Sequence, residues 1–270
     1  MEKEIFDSRT DLKKLIFKIS SVKEMSEEKK ERFFALFNRY GAVVLEHDQS
    51  DNPKDNLIDI SKYFGNVVGH DRADEDGITT IANLEGFEGY LGASNTDHPL
   101  HTGGVYSDEP PVVILLQCLK QSITGGETIL VSSKKIYEYL KEQDPVSLER
   151  LKKNGVVTIK RKEAQSSRAI FDENFLGNGR CMFSFRCDDV VRFEIDPAEM
   201  IIPIAKIKEF IDRPDNQIRF KLKENQILIA DNASVMHART AFSAKEERCL
   251  LRITTDGKAT ESRYPIIIGF

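Results

Sequence analysis

The chain has 270 residues, 40% of them apolar and 31% charged, with a formal net charge of −5. That balance excludes a disordered or collagen-like chain, and the weakly acidic surface lacks the basic footprint of a nucleic-acid binder. The longest apolar run, Val112-Val113-Ile114-Leu115-Leu116, falls far below the ~20 residues that cross a bilayer. The charged start Met1-Glu2-Lys3-Glu4 has no apolar signal-peptide core. Cys118, Cys181, Cys187 and Cys249 form no CxxC pair and read as reduced thiols of a cytoplasmic protein, with no membrane or nucleic-acid partner.

No repeat, low-complexity tract or Pro/Gly/Ser linker divides the chain, so one domain over 1–270 is expected, with a helical part over about 1–65 packed on it. Phe33, Phe34, Phe37 and Tyr40 recur at helical spacing up to Gly41, and Ala42-Val43-Val44-Leu45 follows as a buried strand. A second short helix runs from Asn56 to Phe64, with Gly65 as its stop. After residue 75, short strand-like runs take over: 78–84, 112–119, 127–132, 156–161, 182–186, 218–222, 227–230 and 250–254. Helices at 134–153, broken near Pro145, and at about 200–211 interrupt them. Many short strands with few helices predict a mainly β protein, an antiparallel sandwich or jelly roll. The polar stretches 85–100 and 162–180 exceed ordinary loop length and read as lids.

Chemistry-bearing residues cluster in two places. One is Asp97-His98-Pro99-Leu100-His101-Thr102-Gly103-Gly104. The other is Asp231-Asn232-Ala233-Ser234-Val235-Met236-His237-Ala238-Arg239, followed by Arg248 and Arg252. A single histidine is more often a satisfied hydrogen-bonding residue than a ligand. An arginine turned into a β interior, however, needs an anion.

The sequence resembles the taurine-dioxygenase-like branch of the Fe(II)/2-oxoglutarate-dependent oxygenases. The matching stretches, in order, are His101-Thr102-Gly103, Pro110-Pro111, Leu115-Leu116, Gly125-Gly126-Glu127-Thr128, Asp231-Asn232, His237-Ala238-Arg239-Thr240-Ala241-Phe242 and Arg248, spanning about residues 40–255. The resemblance implies a double-stranded β-helix (jelly roll) and makes His101 and His237 the iron ligands. It makes Arg248 and Thr128 the partners of the distal 2-oxoglutarate carboxylate, with dioxygen as co-substrate. Asp231 and Asn232 then shape the turn that presents His237.

One position departs from the family pattern of His-x-Asp or His-x-Glu. Residues i and i+2 of a strand share a face, so an acid there completes a triad of two histidines and one carboxylate. Here that residue is Gly103. Asp97 and Asp108 are the nearest acids, and neither has the same-face spacing. Losing the carboxylate opens a coordination position and removes a negative charge, and chloride or bromide can make good both. Members of the superfamily with Gly or Ala at this position are halogenases, so the resemblance implies radical halogenation at an unactivated C–H bond. The alternatives are hydroxylation or desaturation by the same cofactors, and a non-catalytic small-molecule-binding jelly roll.

The substrate is expected to be small and polar, a free amino acid first and a nucleotide second. His98 lies at the pocket edge, as in the amino-acid halogenases. Arg72 and Arg252 are candidate clamps for a carboxylate or phosphate, and Glu85 or Glu88 for an amine. Gly104, where some amino-acid halogenases carry a charge, argues against a lysine-like substrate.

Overall fold

The computed structural model describes residues 2–259 and 263–270. The phenylalanine stripe becomes α1 (Glu27–Tyr40), opened by the Ser26 hydroxyl accepting from the Lys29 amide and closed by Gly41 at φ 71°. A side chain at Gly41 would be strained there, and its Cβ would lie 2.9 Å from Ser234 Oγ. The other helices are α2 (Pro53–Ser61), α3 (Ser133–Gln143), α4 (Pro145–Leu151) and α5 (Ile201–Asp212). Pro145 takes the first turn of α4, where its missing N–H costs nothing, and the Asp144 carboxylate caps it by accepting from the Ser147 amide.

The strands are β1 (Ile16–Lys18), β2 (Ala42–Glu46), β3 (Thr79–Ala82), β4 (His98–His101), β5 (Val113–Lys120), β6 (Thr128–Ser132), β7 (Val157–Arg161) and β8 (Ala164–Arg168). They continue with β9 (Phe171–Asp172), β10 (Met182–Phe183), β11 (Arg192–Ile195), β12 (Ile218–Phe220), β13 (Gln226–Asp231), β14 (Val235–Arg239) and β15 (Cys249–Thr255). A six-stranded sheet has the order β1-β2-β13-β5-β15-β3, and a four-stranded sheet the order β12-β6-β14-β4. Apart from the parallel β1–β2 pair, their ladders are antiparallel.

Side-chain alternation explains the layers. On β2, Val43 and Leu45 face outward and pack with Phe33, Phe37, Leu57 and Ile60 of α1 and α2. Ala42 and Val44 face the other way and pack with Leu130, Val235 and Phe220 of the four-stranded sheet. The far face of that sheet buries Val131 and Met236 against α3, α4 and α5. Both faces of β2 are therefore covered, which is why the strand reads as an unbroken apolar run.

The mainly β expectation holds, with differences in detail. The segment before α1 carries the three-residue β1, too short to show a pattern. The 162–180 stretch is no lid: β8 and β9 occupy part of it, and none of it lines the cavity described below. His237 stands within strand β14; only Asn232–Ser234 lie between β13 and β14, where the chain crosses from one sheet to the other. Among the described residues, no helix is long and apolar enough to cross a membrane.

Candidate active site

Strand β4 pairs with β14 so that His101 lies directly opposite His237. Directly opposed residues bring their side chains together, and the two imidazole centroids are 4.3 Å apart. The next registered pair is His98 with Arg239: two residues on β14 oppose three on β4. That extra residue is a β-bulge, and it allows His98 to stack on His101 at 4.1 Å although the two are three positions apart. Pro99 is tolerated inside β4 because this strand is the edge of its sheet.

The His101 Nδ1–H donates to the Pro99 carbonyl over 2.8 Å, which leaves Nε2 with its lone pair free. His237 Nδ1 and His98 Nε2 are shielded from solvent and have no partner among the described residues. Burial, reinforced by Arg186 and other cationic neighbours, pushes His101 and His98 well below the ordinary histidine range. Burial with Arg252 and Arg186 lowers His237 to about 3. All three are neutral imidazoles, the protonation state that ligates a metal. His101, with Nε2 free, and the facing His237 fit Fe(II) as a pair of neutral ligands.

Gly103 follows the end of β4. Its N–H donates to Asn232 Oδ1 over 2.7 Å and its carbonyl accepts from Asn232 Nδ2 over 2.9 Å, while the same Nδ2 reaches the Pro111 carbonyl at 2.6 Å. Asn232 thus fixes the backbone where the family acid would stand. The same-face argument for residue 103 therefore acts through this clamp and not through a continuous strand. No displaced acid takes over. The Asp97 carboxylate accepts from the Ala241 amide, and Asp108 accepts from the Ser166 hydroxyl. Asp231 is buried against Lys3 at 3.1 Å and accepts from the Ala233 and Gly269 amides. Among the described residues, no cluster of three His, Cys, Asp or Glu side chains is set to hold a metal.

A cavity of about 140 Å³ reaches both imidazoles, and His98, Gly103, Gly104, Arg72 and Arg252 also line it. Thr128 and Arg248 do not line it. Arg248 is buried, its Nη1 has no partner among the described residues, and it sits 5.3 Å from the Phe242 ring. A Cβ on Gly126 would come within 3.0 Å of Arg248 Nε, so the glycine leaves the guanidinium room. A buried fork without a carboxylate suits an anionic co-substrate. Thr128 lies opposite Arg239 across the β6–β14 ladder. Glu85 and Glu88 are exposed and do not line the cavity, so neither meets an amine there.

Sequence reasoning missed Arg161, Arg186, Tyr90 and Tyr106, all of which line the cavity. One signal was available: Val157, Ile159 and Arg161 alternate as the buried positions of β7, so an arginine stands where an apolar residue is expected.

Residues 6–254 match the family described as taurine catabolism dioxygenase TauD, TfdA family. The chain belongs to this family. It is 29% identical over 176 residues to a trimethyllysine dioxygenase of Meyerozyma guilliermondii, covering 60% of this chain and 43% of the relative. It is 28% identical over 165 residues to the human gamma-butyrobetaine dioxygenase, covering 57% and 40%. The chain thus spans well under half the length of these curated relatives. Among solved structures, a taurine dioxygenase from Burkholderia xenovorans superposes with a TM-score of 0.68 at 16% identity, covering 88% and 84% of the two chains. An asparagine oxygenase in complex with Fe(II), hydroxyasparagine and succinate gives 0.66 at 16% identity, covering 84% and 79%.

Proposed function

We propose that this protein uses Fe(II), 2-oxoglutarate and dioxygen to functionalise an unactivated C–H bond of a small polar molecule. In this reading chloride or bromide fills the position that Gly103 leaves beside the metal, and the bond is halogenated. The two facing sheets are read as the double-stranded β-helix of the superfamily. The observation that carries the proposal is the Gly103–Asn232 clamp, which holds a residue without a ligand atom where the family pattern has an acid.

His101 and His237 would hold the iron, with the Pro99 carbonyl orienting His101. Arg248, with Thr128, would hold the distal carboxylate of 2-oxoglutarate. When bound, the iron and its co-substrates supply an oxidant able to remove a hydrogen atom from a C–H bond. The residues of the chain bind, orient and exclude water. The space beside Gly103 is narrow, because the Ile114 methyl lies 3.0 Å from where a Cβ would be. Product choice would then depend on where the cavity holds the substrate carbon.

Hydroxylation is the second reading, favoured by the relatives named above, each of which is called an oxygenase or dioxygenase. One experiment separates the two. The anaerobic chain is loaded with Fe(II) and 2-oxoglutarate, oxygen is admitted with and without chloride or bromide, and products from a substrate panel are identified by mass spectrometry. Halogenated product supports the first reading. Hydroxylated product at rates indifferent to halide replaces it with the second.

A further inference from the structure

We propose that the cavity receives a substrate with two anionic groups, one met by Arg252 and the other by Arg72 and Arg161. The inference rests on the proposed function, because it names the substrate class for the cavity that reaches the imidazole pair.

Four arginines line this cavity (Arg72, Arg161, Arg186 and Arg252) against a single acid, Glu109, which is exposed. The neighbouring carboxylates are already engaged. Asp71 meets Lys162, His70 and the Tyr90 hydroxyl, and Asp188 holds Arg186 at 2.8 Å. Arg186 is therefore neutralised by its own partner, and three arginines remain. Among the described residues, Arg72 donates from Nη1 to the Thr80 carbonyl at 3.3 Å, and its shielded Nε has no partner. Arg161 reaches the Gly89 carbonyl at 3.4 Å and the Tyr106 hydroxyl at 3.5 Å. Arg252 has no hydrogen bond or ion pair among the described residues, and it lies on β15 on the same face as Leu250, which packs between the sheets. Burial lowers Arg252 to about 10, which still leaves it charged at neutral pH. Guanidinium groups this poorly compensated are costly without an anion, and their planar forks match carboxylate, sulfonate or phosphate oxygens two at a time.

The aromatic residues of the cavity point the same way. A ring face can hold a quaternary ammonium ion, but these faces are covered by the protein's own cations. Arg161 lies 4.6 Å, Arg72 5.1 Å and Lys162 4.2 Å from the centre of the Tyr90 ring, and Arg161 also lies 5.3 Å from that of Tyr106. A trimethylammonium group would meet three positive charges and no free ring. The ammonium of a simple amino acid would find only Glu109 at the exposed rim. In this proposal a compact dianion takes the place of the free amino acid.

The test is calorimetric titration of the full chain, anaerobic, loaded with Fe(II) and saturating 2-oxoglutarate, at constant ionic strength. The probes are propane-1,3-disulfonate, propane-1-sulfonate and tetramethylammonium. The disulfonate should bind about tenfold more tightly than the monosulfonate, and tetramethylammonium should give no binding. Arg72→Gln and Arg161→Gln should each bring the disulfonate down to the monosulfonate level, while Arg252→Gln weakens both sulfonates. Since Arg161 is buried, Arg161→Lys serves as the second variant, and it should recover only part of the preference. Equal affinity for the two sulfonates, binding of tetramethylammonium, no binding of the disulfonate, or an unchanged preference in both glutamine variants would overturn the proposal. Iron loading is followed separately by its visible absorption with 2-oxoglutarate. A chain that takes up no iron refutes the proposed function, and the same titration on the metal-free chain then judges the arginine reading by itself.

Discussion

At the floor of the cavity His101 and His237 face each other across a main-chain ladder, whereas at its mouth Arg72 and Arg161 reach in and end on carbonyl oxygens. The floor is fixed by strand register, which cannot slip by one residue without turning each side chain to the other face. The mouth is held by long side chains on hydrogen bonds of 3.3 to 3.5 Å. The comparison teaches a division of labour: the ladder determines which chemistry the site supports, and the arginine forks determine what is admitted to it. Substitutions at the floor should therefore abolish function outright, and those at the mouth should change selectivity while leaving the metal in place.

The largest effect is expected at the floor. If His101 and His237 are the two protein ligands, His101→Ala or His237→Ala leaves only one of them, so Fe(II) binding should be lost. The measurement is the visible Fe(II)/2-oxoglutarate band under anaerobic titration, and its retention in both variants would remove these residues from the metal site. Next comes Arg248. If its unpartnered fork meets the distal carboxylate, Arg248→Ala should weaken 2-oxoglutarate by ~2–5 kcal/mol, and Arg248→Lys should restore only part of that. Unchanged affinity by calorimetry would show that the buried Nη1 serves another anion.

The floor was also the more legible region in the sequence. His101, His237 and Arg248 stand in stretches whose order and spacing match a family. The apolar runs that became β2, β5 and β13 are buried on both faces and so announce themselves. What stayed hidden has physical causes. The bulge that stacks His98 on His101 is a property of pairing between residues more than a hundred positions apart, although Pro99 within a short run marks an edge strand. Strand β8, Ala164-Gln165-Ser166-Ser167-Arg168, buries only Ser166 and Arg168 and has no apolar stripe to read. The mouth arginines come from separate segments, and nothing local shows that Asp71 is already paired with Lys162.

Between floor and mouth stands Asn232, whose amide makes three hydrogen bonds to the Gly103 and Pro111 backbone. Asn232→Ala would strand buried backbone groups without partners, at a cost of about 1–3 kcal/mol for each unsatisfied group. Urea unfolding should show that loss, and the variant should also broaden the Fe(II)/2-oxoglutarate band by loosening the segment after His101. A stability within about 0.5 kcal/mol of the parent would mean that the clamp is not needed to fix residue 103.

The smallest change in stability, and the sharpest test of the chemistry, is expected at Gly103 itself. Its backbone is outside the left-handed region, so a side chain is not strained there. A Cβ would meet the Ile114 methyl at 3.0 Å and the Asn232 Oδ1 at 3.5 Å, so Ile114 must yield by a few tenths of an ångström. Gly103→Ala should therefore cost no more than about 1–3 kcal/mol, the range for modest overpacking. Alanine brings no ligand atom, so the response of the Fe(II)/2-oxoglutarate spectrum to chloride should persist in this variant. Gly103→Asp brings a carboxylate to the same place, and the response should vanish. Shortening the neighbour as well, in Gly103→Asp with Ile114→Val, gives the carboxylate room, so crowding does not account for a lost halide response. If the parent protein and Gly103→Ala both ignore chloride and bromide, no halide occupies the position, and the missing acid marks an oxygenase that works with two protein ligands.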